Sequence, residues 1–306
     1  MNLRKYWDKL YISDRWTIGF IEESAESLVE RKECHPYIHW IENNYKDRFF
    51  ADPFILNIDK DGVITVLVEE LIYTKAIGSI VELKISPQYK IISRKNILSL
   101  RTHLSYPFIV KRDNGIFVYP ENCENNSFSE YQYINGKLFF VREILNLPLC
   151  DSTFLFSFNS YNWLFTTFKG KTQDSELLVY FSHEDGKKYI SHPANPVVNN
   201  AKTARPGGNF IFLGTGKIVR VAQDCYSSYG GGLSFMEIKK ISPTEYKEVL
   251  LFNIYPDENG ECPNGLHTFN GYQDIVVVDG IRKRKFCPLK KVVFVIRNIL
   301  RRKFKL

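Results

Sequence analysis

A short sequence pattern recurs five times in this chain, and each copy opens with a residue type that can take part in catalysis or ligand binding. Each opening residue precedes a stretch rich in aromatic or β-branched residues, and most copies then turn at a glycine. The opening residues follow one another at intervals of 54, 45, 54 and 62 residues, and they are Asp52, Tyr106, Asp151, Arg205 and His267. Repeats with a period of roughly 40–60 residues indicate a propeller, a solenoid or an array.

Each copy continues into a second strand-like stretch that also ends in polar residues. These ends are Glu69-Glu70, Glu121, Thr166-Thr167, Gln223-Asp224 and Asp279-Gly280. Because neighbouring residues of a strand point to opposite faces, we expect one residue of the Glu69-Glu70 pair to face a pocket and the other to face solvent.

The elements that must position these residues are strands. The chain has 306 residues, of which 15% are aromatic, and each repeat has room for four strands with turns. The sequence therefore predicts an all-β fold, a five-bladed β-propeller at 15–280 with its first strands lining the axis. A strand at 15–22 is expected to complete the blade formed by the other end of the chain. The alternative is a β-sandwich whose strands resemble one another by chance.

Inner strands of a propeller converge on one end of its axis, so the polar residues of all five copies should meet there. We predict catalytic roles for Asp52, Glu121 and Asp151, because glycosyl chemistry needs one carboxylate at the anomeric carbon and one acid or base nearby. Six further residues are predicted to bind substrate, namely Arg205, Gln223, Asp224, His267, Tyr106 and Tyr229.

Several of these residues also have ordinary structural interpretations. Asp52 precedes a proline and could start a turn, but an unpaired carboxylate between apolar neighbours would be costly to bury, which favours function. Asp151 is equally consistent with a cap or turn, and Glu121 with a solvated loop. The glycines at 207–208 after Arg205 permit close backbone approach, and their N–H groups could contact an anion.

The charge of the chain is concentrated at its C-terminal end. Residues 280–306 contain 11 Lys and Arg and no Asp or Glu, whereas the chain as a whole has a net charge of +7. The stretch from Pro288 to Leu306 has an apolar and a basic helical face. We therefore predict that this stretch forms a basic amphipathic helix within a membrane-associating tail at 281–306, and that 282–306 associates with an anionic membrane surface. A helix packed on the propeller, a strand, and a nucleic-acid contact are alternatives. The rest of the chain has 30 Lys and Arg (41 − 11) against 34 Asp and Glu, and this net negative charge argues against nucleic acid as a partner.

The cysteines and the N-terminal residues indicate a cytoplasmic protein. None of the six cysteines forms a CxxC pair, and the start lacks the apolar run of a secretory signal. Buried structural thiols are the expected interpretation, and the sequence predicts neither a metal site nor a cofactor. With the basic tail, this composition predicts a peripheral protein on the inner face of the cell membrane.

An ordered set of short motifs resembles a known family. The set includes Phe-Ala-Asp-Pro-Phe at 50–54, Asp-Ser-Thr-Phe at 151–154, Ala-Arg-Pro-Gly-Gly at 204–208, Ala-Gln-Asp at 222–224 and His-Thr at 267–268. Over roughly residues 16–280 the chain resembles the N-terminal domain of glucosamine inositolphosphorylceramide transferases, which also occurs in bacterial surface-polysaccharide gene products. It is more distantly similar to five-bladed propeller furanosidases and fructosyltransferases.

The resemblance implies a function and a role for one acid. An Asp-Pro on the first blade carries the nucleophile or base in the furanosidases, and Asp52 matches that place. The plant transferases have a separate glycosyltransferase domain, so this propeller is expected either to act alone or to serve a partner.

The leading hypothesis is a glycosyltransferase, with a furanosyltransferase as the sharper form, in bacterial surface polysaccharide biosynthesis. Its partners would be an activated sugar donor and a glycan or lipid-linked acceptor. The alternatives are a glycoside hydrolase of the furanosidase type and a non-catalytic glycan-binding or scaffold propeller.

Overall fold

The computed structural model describes residues 12–183, 188–285 and Ile296, and its strands form five antiparallel sheets. Each sheet has four strands along its main path, and the sheets are the blades of a five-bladed β-propeller. This architecture confirms the predicted fold class. The predicted boundary at residue 280 differs from the structure, because a strand of the fifth blade extends to Lys285 and so includes the first residues of the predicted tail. The predicted helix from Pro288 to Leu306 lies outside the described residues, apart from Ile296.

The chain begins with a strand that belongs to the last blade, followed by one short helix. Ser24 caps this helix at its N-terminus, and Leu28 and Val29 bury its apolar face. The elements of this segment are β1 (Ile12–Ile21), α1 (Ala25–Arg31) and β2 (His39–Trp40). None of the helices in the described ranges is long and apolar enough to span a bilayer.

The first two blades are simple meanders that run outwards from the axis. The first blade contains β3 (Arg48–Ile58), β4 (Ile64–Ile72), β5 (Ile77–Ile85) and β6 (Ile91–Leu98). The second blade contains β7 (Ser105–Arg112), β8 (Gly115–Glu121), β9 (Phe128–Ile134) and β10 (Lys137–Leu145), with a 3₁₀ turn at Cys123–Asn125 between β8 and β9.

The third and fourth blades have the same order but shorter edge strands. The third contains β11 (Leu149–Phe158), β12 (Tyr161–Phe168), β13 (Glu176–His183) and β14 (Ile190–Ser191), and β15 (Val198–Asn199) also pairs with β13. The fourth contains β16 (Ile211–Phe212), β17 (Ile218–Asp224), β18 (Gly232–Ser242) and β19 (Glu245–Ile254).

The fifth blade closes the ring with strands from both ends of the chain. It is built from β20 (Leu266–Tyr272) and β21 (Ile275–Lys285), followed by β1 and β2. Strand β1 pairs with β21 along its whole length, from Ile12 opposite Lys285 to Ile21 opposite Val276. The predicted closing role of the N-terminal strand is therefore confirmed, and it removes an open sheet edge.

The apolar core is divided into five clusters that lie between blades. Strand β4 is buried along almost its whole length because neighbouring blades cover both of its faces, whereas the outermost strands β6 and β10 expose much of theirs. In one cluster, Phe20 of the fifth blade packs with Phe50, Val66 and Val81 of the first. Full burial of such a side chain contributes about 1.5–3 kcal/mol, so each blade is stabilised mainly by its neighbours.

Candidate functional site

Four of the five opening residues of the repeats lie in β-bulges on the inner strands. Pairing of β3 with β4 is interrupted between Ala51 and Phe54, and the same interruption recurs in β7, β11 and β20. Asp52, Tyr106 and Asp151 have positive φ angles of 51°, 43° and 46°. Such a backbone costs about 1–3 kcal/mol per residue, and bulges of this kind re-aim side chains. In four of the blades the repeated pattern thus corresponds to a bulge that redirects one side chain of the inner strand.

In the fourth blade the opening residue, Arg205, lies in a glycine-containing segment before the first strand and not in a β-bulge. A Cβ atom on Gly208 would lie 2.1 Å from the carbonyl oxygen of Phe269, so glycine is required where the fourth blade meets the fifth. The N–H of Gly207 donates to the carbonyl of Val221 at 3.0 Å. The expected anion contact at Gly207 is therefore not available, because its N–H is used to pair strands. The glycines let Arg205 enter the centre of the ring.

A line of three side chains joins the fifth blade to the first. His267 Nδ1 lies 2.6 Å from Asp279 Oδ1, and His267 Nε2 lies 3.3 Å from Asp52 Oδ1. Asp279 also accepts hydrogen bonds from the N–H groups of Asp52, at 2.8 Å, and Thr268, at 2.9 Å. The backbone of both bulges is therefore held by the same carboxylate that orients the imidazole.

Burial and mutual charge set the protonation of this relay. Burial alone would lower the pKa of His267, but the carboxylates of Asp279 and Asp52 outweigh it and raise that pKa to about 9. Burial raises the pKa of Asp52 well above its ordinary value, although the charge of His267 opposes this. At neutral pH His267 is therefore a cation between two carboxyl groups, and Asp52 is a stronger base than an exposed aspartate.

Aromatic rings cover the relay. Trp16 stacks on His267 with ring centroids 3.8 Å apart, and Tyr229 meets both rings edge-on. Gly230 has a φ of +60°, and a Cβ atom there would lie 2.8 Å from His267 Cβ. The ring of Tyr229 in turn lies beneath the guanidinium of Arg205, at 4.8 Å. Tyr229 is 43% exposed, so it lies between the buried relay and solvent.

A second charged group surrounds Asp151. Arg205 Nε and Gln223 Nε2 both donate to Asp151 Oδ2, at 2.5 and 2.8 Å. Arg205 also pairs with Asp174 at 2.8 Å. Asp151 and Arg205 are almost fully buried, so removal of either partner would leave the other buried without its counter-charge.

Glu121 supports Asp151 from the second blade. Its Oε2 accepts the N–H of Asp151 at 2.9 Å, and its Oε1 accepts the thiol of Cys123 at 3.0 Å. Burial raises the pKa of Glu121 well above its ordinary value. Its position on a buried strand end excludes the alternative of a solvated loop residue.

Tyr106 is a fully buried link between blades. Its N–H donates to Asp52 Oδ2 at 3.1 Å, and its hydroxyl lies 2.8 Å from Thr153 Oγ1. The structure thus brings eight of the nine predicted site residues into one connected group, namely Asp52, Tyr106, Glu121, Asp151, Arg205, Gln223, Tyr229 and His267.

Asp224 is the predicted residue that the structure places elsewhere. Its carboxylate accepts from Tyr255 OH at 2.9 Å and from the N–H of Tyr226 at 3.0 Å. Its neighbour Gln223 faces Asp151, so alternation along β17 turns Asp224 to the opposite side. The Glu69-Glu70 pair also differs from expectation, because Glu70 is fully buried against two arginines and does not face solvent.

Two residues of the site were not among the predicted ones. Asp279 lies within β21, at the polar end of the fifth copy of the sequence pattern, which is the place that Glu121 has in the second copy, so the repeat itself contained the signal. Glu69 lies within β4 at the corresponding place in the first copy, and its charge contributes to the raised pKa of Asp52. Its carboxylate lies 3.2 Å from His103 Nε2.

Within residues 12–183 and 188–285, two groups of side chains bring possible metal-ligand atoms within 4.8 Å of one another. One is the relay of Asp52, His267 and Asp279, which its own short hydrogen bond and ion pair already hold together, so we interpret it as a proton relay. The other combines Glu121 with the thiols of Cys123 and Cys150.

The fold and the site define a class of protein, a five-bladed propeller in which carboxylates, an arginine and a histidine form one buried group between blades. Residues 38–274 match the family model described as glucosamine inositolphosphorylceramide transferase 1, N-terminal. The chain belongs to this family.

Curated relatives agree with this membership. A glucosamine inositolphosphorylceramide transferase 1 of Oryza sativa subsp. japonica is 30% identical over 217 residues, which cover 68% of this chain and 28% of the relative. The relative of the same name in Arabidopsis thaliana is 33% identical over 154 residues, or 48% of this chain and 20% of its own. The chain therefore spans less than a third of the length of these relatives.

Solved structures share the fold at low sequence identity. The α-L-arabinofuranosidase PaAbf62A of Podospora anserina is 11% identical, with a TM-score of 0.53, over 76% of this chain and 81% of its own. Zg3597, a family 117 glycoside hydrolase of Zobellia galactanivorans, is 8% identical, with a TM-score of 0.50, over 89% and 91%.

Proposed function

We propose that this chain is a glycosyltransferase that moves a sugar from a phosphate-activated donor to a hydroxyl of a glycan or lipid-linked acceptor. The transferase names of its curated relatives support this reaction class. The observation that carries the proposal is the relay from Asp279 through His267 to Asp52, built beside the ion pair of Asp151 and Arg205.

Asp52 acts as the general base in this mechanism. It takes the proton of the acceptor hydroxyl as the acceptor oxygen bonds to the anomeric carbon. The bond from that carbon to the donor phosphate oxygen breaks, and the phosphate leaves with the electron pair. Cationic His267 stabilises the Asp52 carboxylate before it is protonated, and Asp279 keeps the imidazole oriented.

Asp151 is the second carboxylate of the mechanism. Positive charge develops on the sugar ring as the donor bond breaks, and an ionised carboxylate nearby stabilises it. Arg205 and Gln223 hold Asp151 in one orientation, and Glu121 fixes its backbone. We assign Glu121 a positioning role, because its Oε2 accepts the N–H of Asp151 and so holds the backbone of the second carboxylate.

The proposal extends to a furanose donor and to bacterial surface polysaccharide as the product. The ordered motifs support this setting. A location on the cytoplasmic face of the membrane rests on the basic stretch at 281–306, which would hold the propeller near a lipid-linked acceptor.

Transfer of sugar onto a lipid-linked acceptor tests the catalytic assignment. Asp52→Asn should lower the transfer rate by about 10²–10⁴-fold, because a general base contributes an effect of that size. Asp61→Asn is the matched control, since Asp61 is an exposed acid in the turn after the same strand. Undiminished transfer by a folded Asp52→Asn variant would refute the role of Asp52.

Hydrolysis is the second candidate function. The buried carboxylates of Asp52 and Asp151 belong to one electrostatically connected group, and paired carboxylates of this kind also serve hydrolysis, with water in place of the acceptor. Release of free sugar from oligosaccharides, with no transfer from activated donors, would favour this reaction. Saturable glycan binding that persists in Asp52→Asn, with no turnover by the native chain, would instead indicate a binding or scaffold propeller.

Membrane association can be tested without shortening the chain. Replacing Lys290, Lys291, Arg301 and Arg302 together with Glu should abolish cosedimentation with vesicles containing anionic lipid, because each basic residue near such a surface contributes about 1 kcal/mol. Neutral vesicles are the control. Equal binding of the native chain and of the variant with the four Glu substitutions to anionic vesicles would refute the proposed membrane contact.

A further inference from the structure

A second group of reactive side chains lies beside the carboxylates, between the second and third blades. Glu121 ends β8, Cys123 begins the 3₁₀ turn after it, and Cys150 lies in β11 of the next blade. Their carboxylate oxygen and two sulfur atoms all lie within 4.8 Å of one another. All three residues are buried, and Cys150 is completely inaccessible to solvent.

The chemistry of this group differs from that of an ordinary buried cysteine. A single buried thiol behaves as a small apolar side chain, whereas two thiols and a carboxylate in mutual contact form a ligand set. Thiolates bind soft or borderline cations, and Zn²⁺ is bound by sulfur at about 2.3 Å and by carboxylate oxygen at about 2.0–2.2 Å. Atoms that bind one Zn²⁺ ion at these distances lie less than 4.8 Å from one another, as the three ligand atoms here do.

The surrounding charges suit an anionic cluster. Two thiolates and one carboxylate carry three negative charges, of which a divalent cation balances two. Lys169 lies close enough to Cys123 to act on it electrostatically, and Arg205 acts on both Glu121 and Cys150. These two cations reduce the cost of burying the remaining charge, while each also pairs with a carboxylate, Lys169 with Glu124 and Arg205 with Asp151.

We propose that Glu121, Cys123 and Cys150 bind one Zn²⁺ ion that joins the second and third blades. Each thiol releases a proton to solvent as its sulfur bonds to the metal. The three residues supply three of the four ligands that Zn²⁺ prefers, and the fourth would be water.

The site would also stiffen the backbone at Asp151. Cys150 immediately precedes Asp151, and Glu121 accepts the N–H of Asp151 at 2.9 Å through its Oε2. A metal bound to Cys150 and to Glu121 Oε1 would therefore hold this bulge from both sides. The proposal itself does not depend on transfer activity, because metal binding can be observed directly.

Titration with Co²⁺ tests the site on the full chain, after purification under reducing conditions and treatment with a chelator. Co²⁺ bound to thiolates shows a ligand-to-metal charge-transfer band in the near ultraviolet, and tetrahedral Co²⁺ shows visible bands. We expect these bands to saturate at one Co²⁺ per chain and to disappear on addition of one Zn²⁺. Absence of a thiolate band in the native chain would overturn the proposal.

Substitutions locate the ligands. Cys150→Ser and Glu121→Gln should each weaken Zn²⁺ binding by more than about tenfold, since even indirect supporting contacts of a metal ligand are worth about 10–100-fold. Glu121→Gln is the safer variant for folding, because its amide oxygen can still accept the N–H of Asp151. Cys262→Ser is the matched control, since Cys262 is also a buried free thiol but lies in the fifth blade region. Native affinity in both folded ligand variants would refute the site.

A disulfide is the competing use of the same two thiols. The chain contains six cysteines, and all should react with a thiol reagent in denaturant when the metal-free protein is kept under reducing conditions. Protein isolated without reductant should then give the same count if Zn²⁺ holds the pair. A count two lower, with a Cys123–Cys150 crosslink in the peptide map and no bound Zn²⁺, would overturn the proposal.

Discussion

Replacement of Asp279 by Asn is the most direct perturbation of the relay. Asp279 is fully buried, and its carboxylate lies 2.6 Å from His267 Nδ1. The substitution removes the negative charge while keeping the size of the side chain and one acceptor oxygen. We expect the pKa of His267 to fall, because burial continues to lower it and only Asp52 remains close enough to raise it strongly.

The size of the effect follows from the pKa of His267. The difference between an ordinary value of 6.5 and a folded-state value of about 9 corresponds to about 3 kcal/mol of stability. Because the folded-state pKa is the higher one, this stabilisation is fully present below about pH 6.5 and is lost as the pH rises through about 9. The free energy of unfolding of the Asp279→Asn variant should therefore be lower than that of the native chain by up to about 3 kcal/mol at pH 6, and by much less at pH 10. Any loss of stability that does not depend on pH would add equally at the two pH values.

Two measurements check this reasoning. Nitrogen-15 spectra of labelled histidine report the protonation of each ring, and the His267 signal is the one absent from His267→Gln. Urea unfolding at pH 6 and pH 10 gives the free energy of unfolding, with Asp274→Asn as the control because Asp274 is exposed in the turn before β21. A His267 that titrates near 6.5 in the native chain, or an equal loss of stability at both pH values, would refute the reasoning.

Three further substitutions test the rest of the site. Gly230→Ala should destabilise the fold by about 1–3 kcal/mol, because its positive φ is strained for alanine and the new Cβ would approach His267; an unchanged melting temperature would contradict this. Arg205→Met should cost about 3–5 kcal/mol in urea unfolding, since it leaves Asp151 buried without its cation, and a loss below about 1 kcal/mol would show that the pair is not needed. Tyr106→Phe removes a buried hydroxyl contact and should cost about 1 kcal/mol, with a double-mutant cycle against its threonine partner as the check.

Much of the fold could be predicted because the repeat consists of local strand and turn signals. Strand-forming stretches, turn glycines and the recurrence of the pattern are visible in the sequence, and they predicted both the five blades and the closing strand at 15–22. The glycines at 207–208 were predicted to permit close backbone approach, and the structure shows such an approach at Gly208. Their use in strand pairing could not be foreseen, because it depends on Phe269 of the next blade.

Individual side-chain directions were harder to predict than their neighbourhood. Gln223 and Asp224 are adjacent, and both were expected in the pocket, but only one can point there from a strand. A shift of one residue exchanges the two faces, so an alignment of repeats that is accurate only to about one residue cannot assign them. The bulges add the same uncertainty at Asp52, Tyr106 and Asp151, because each inserts a residue into the strand pairing.

The sequence by itself determined the strands, the repeat and the residue in each copy that leaves its sheet, since these depend on local backbone preference and on alternation along a strand. Only the tertiary structure decided which residues meet. Asp279 holds the N–H of Asp52 across 227 positions of sequence, and Cys123 meets Cys150 without any recognisable spacing. The physical reason is that contacts between blades are set by closure of the ring, which brings together strand ends whose separation along the chain carries no signal.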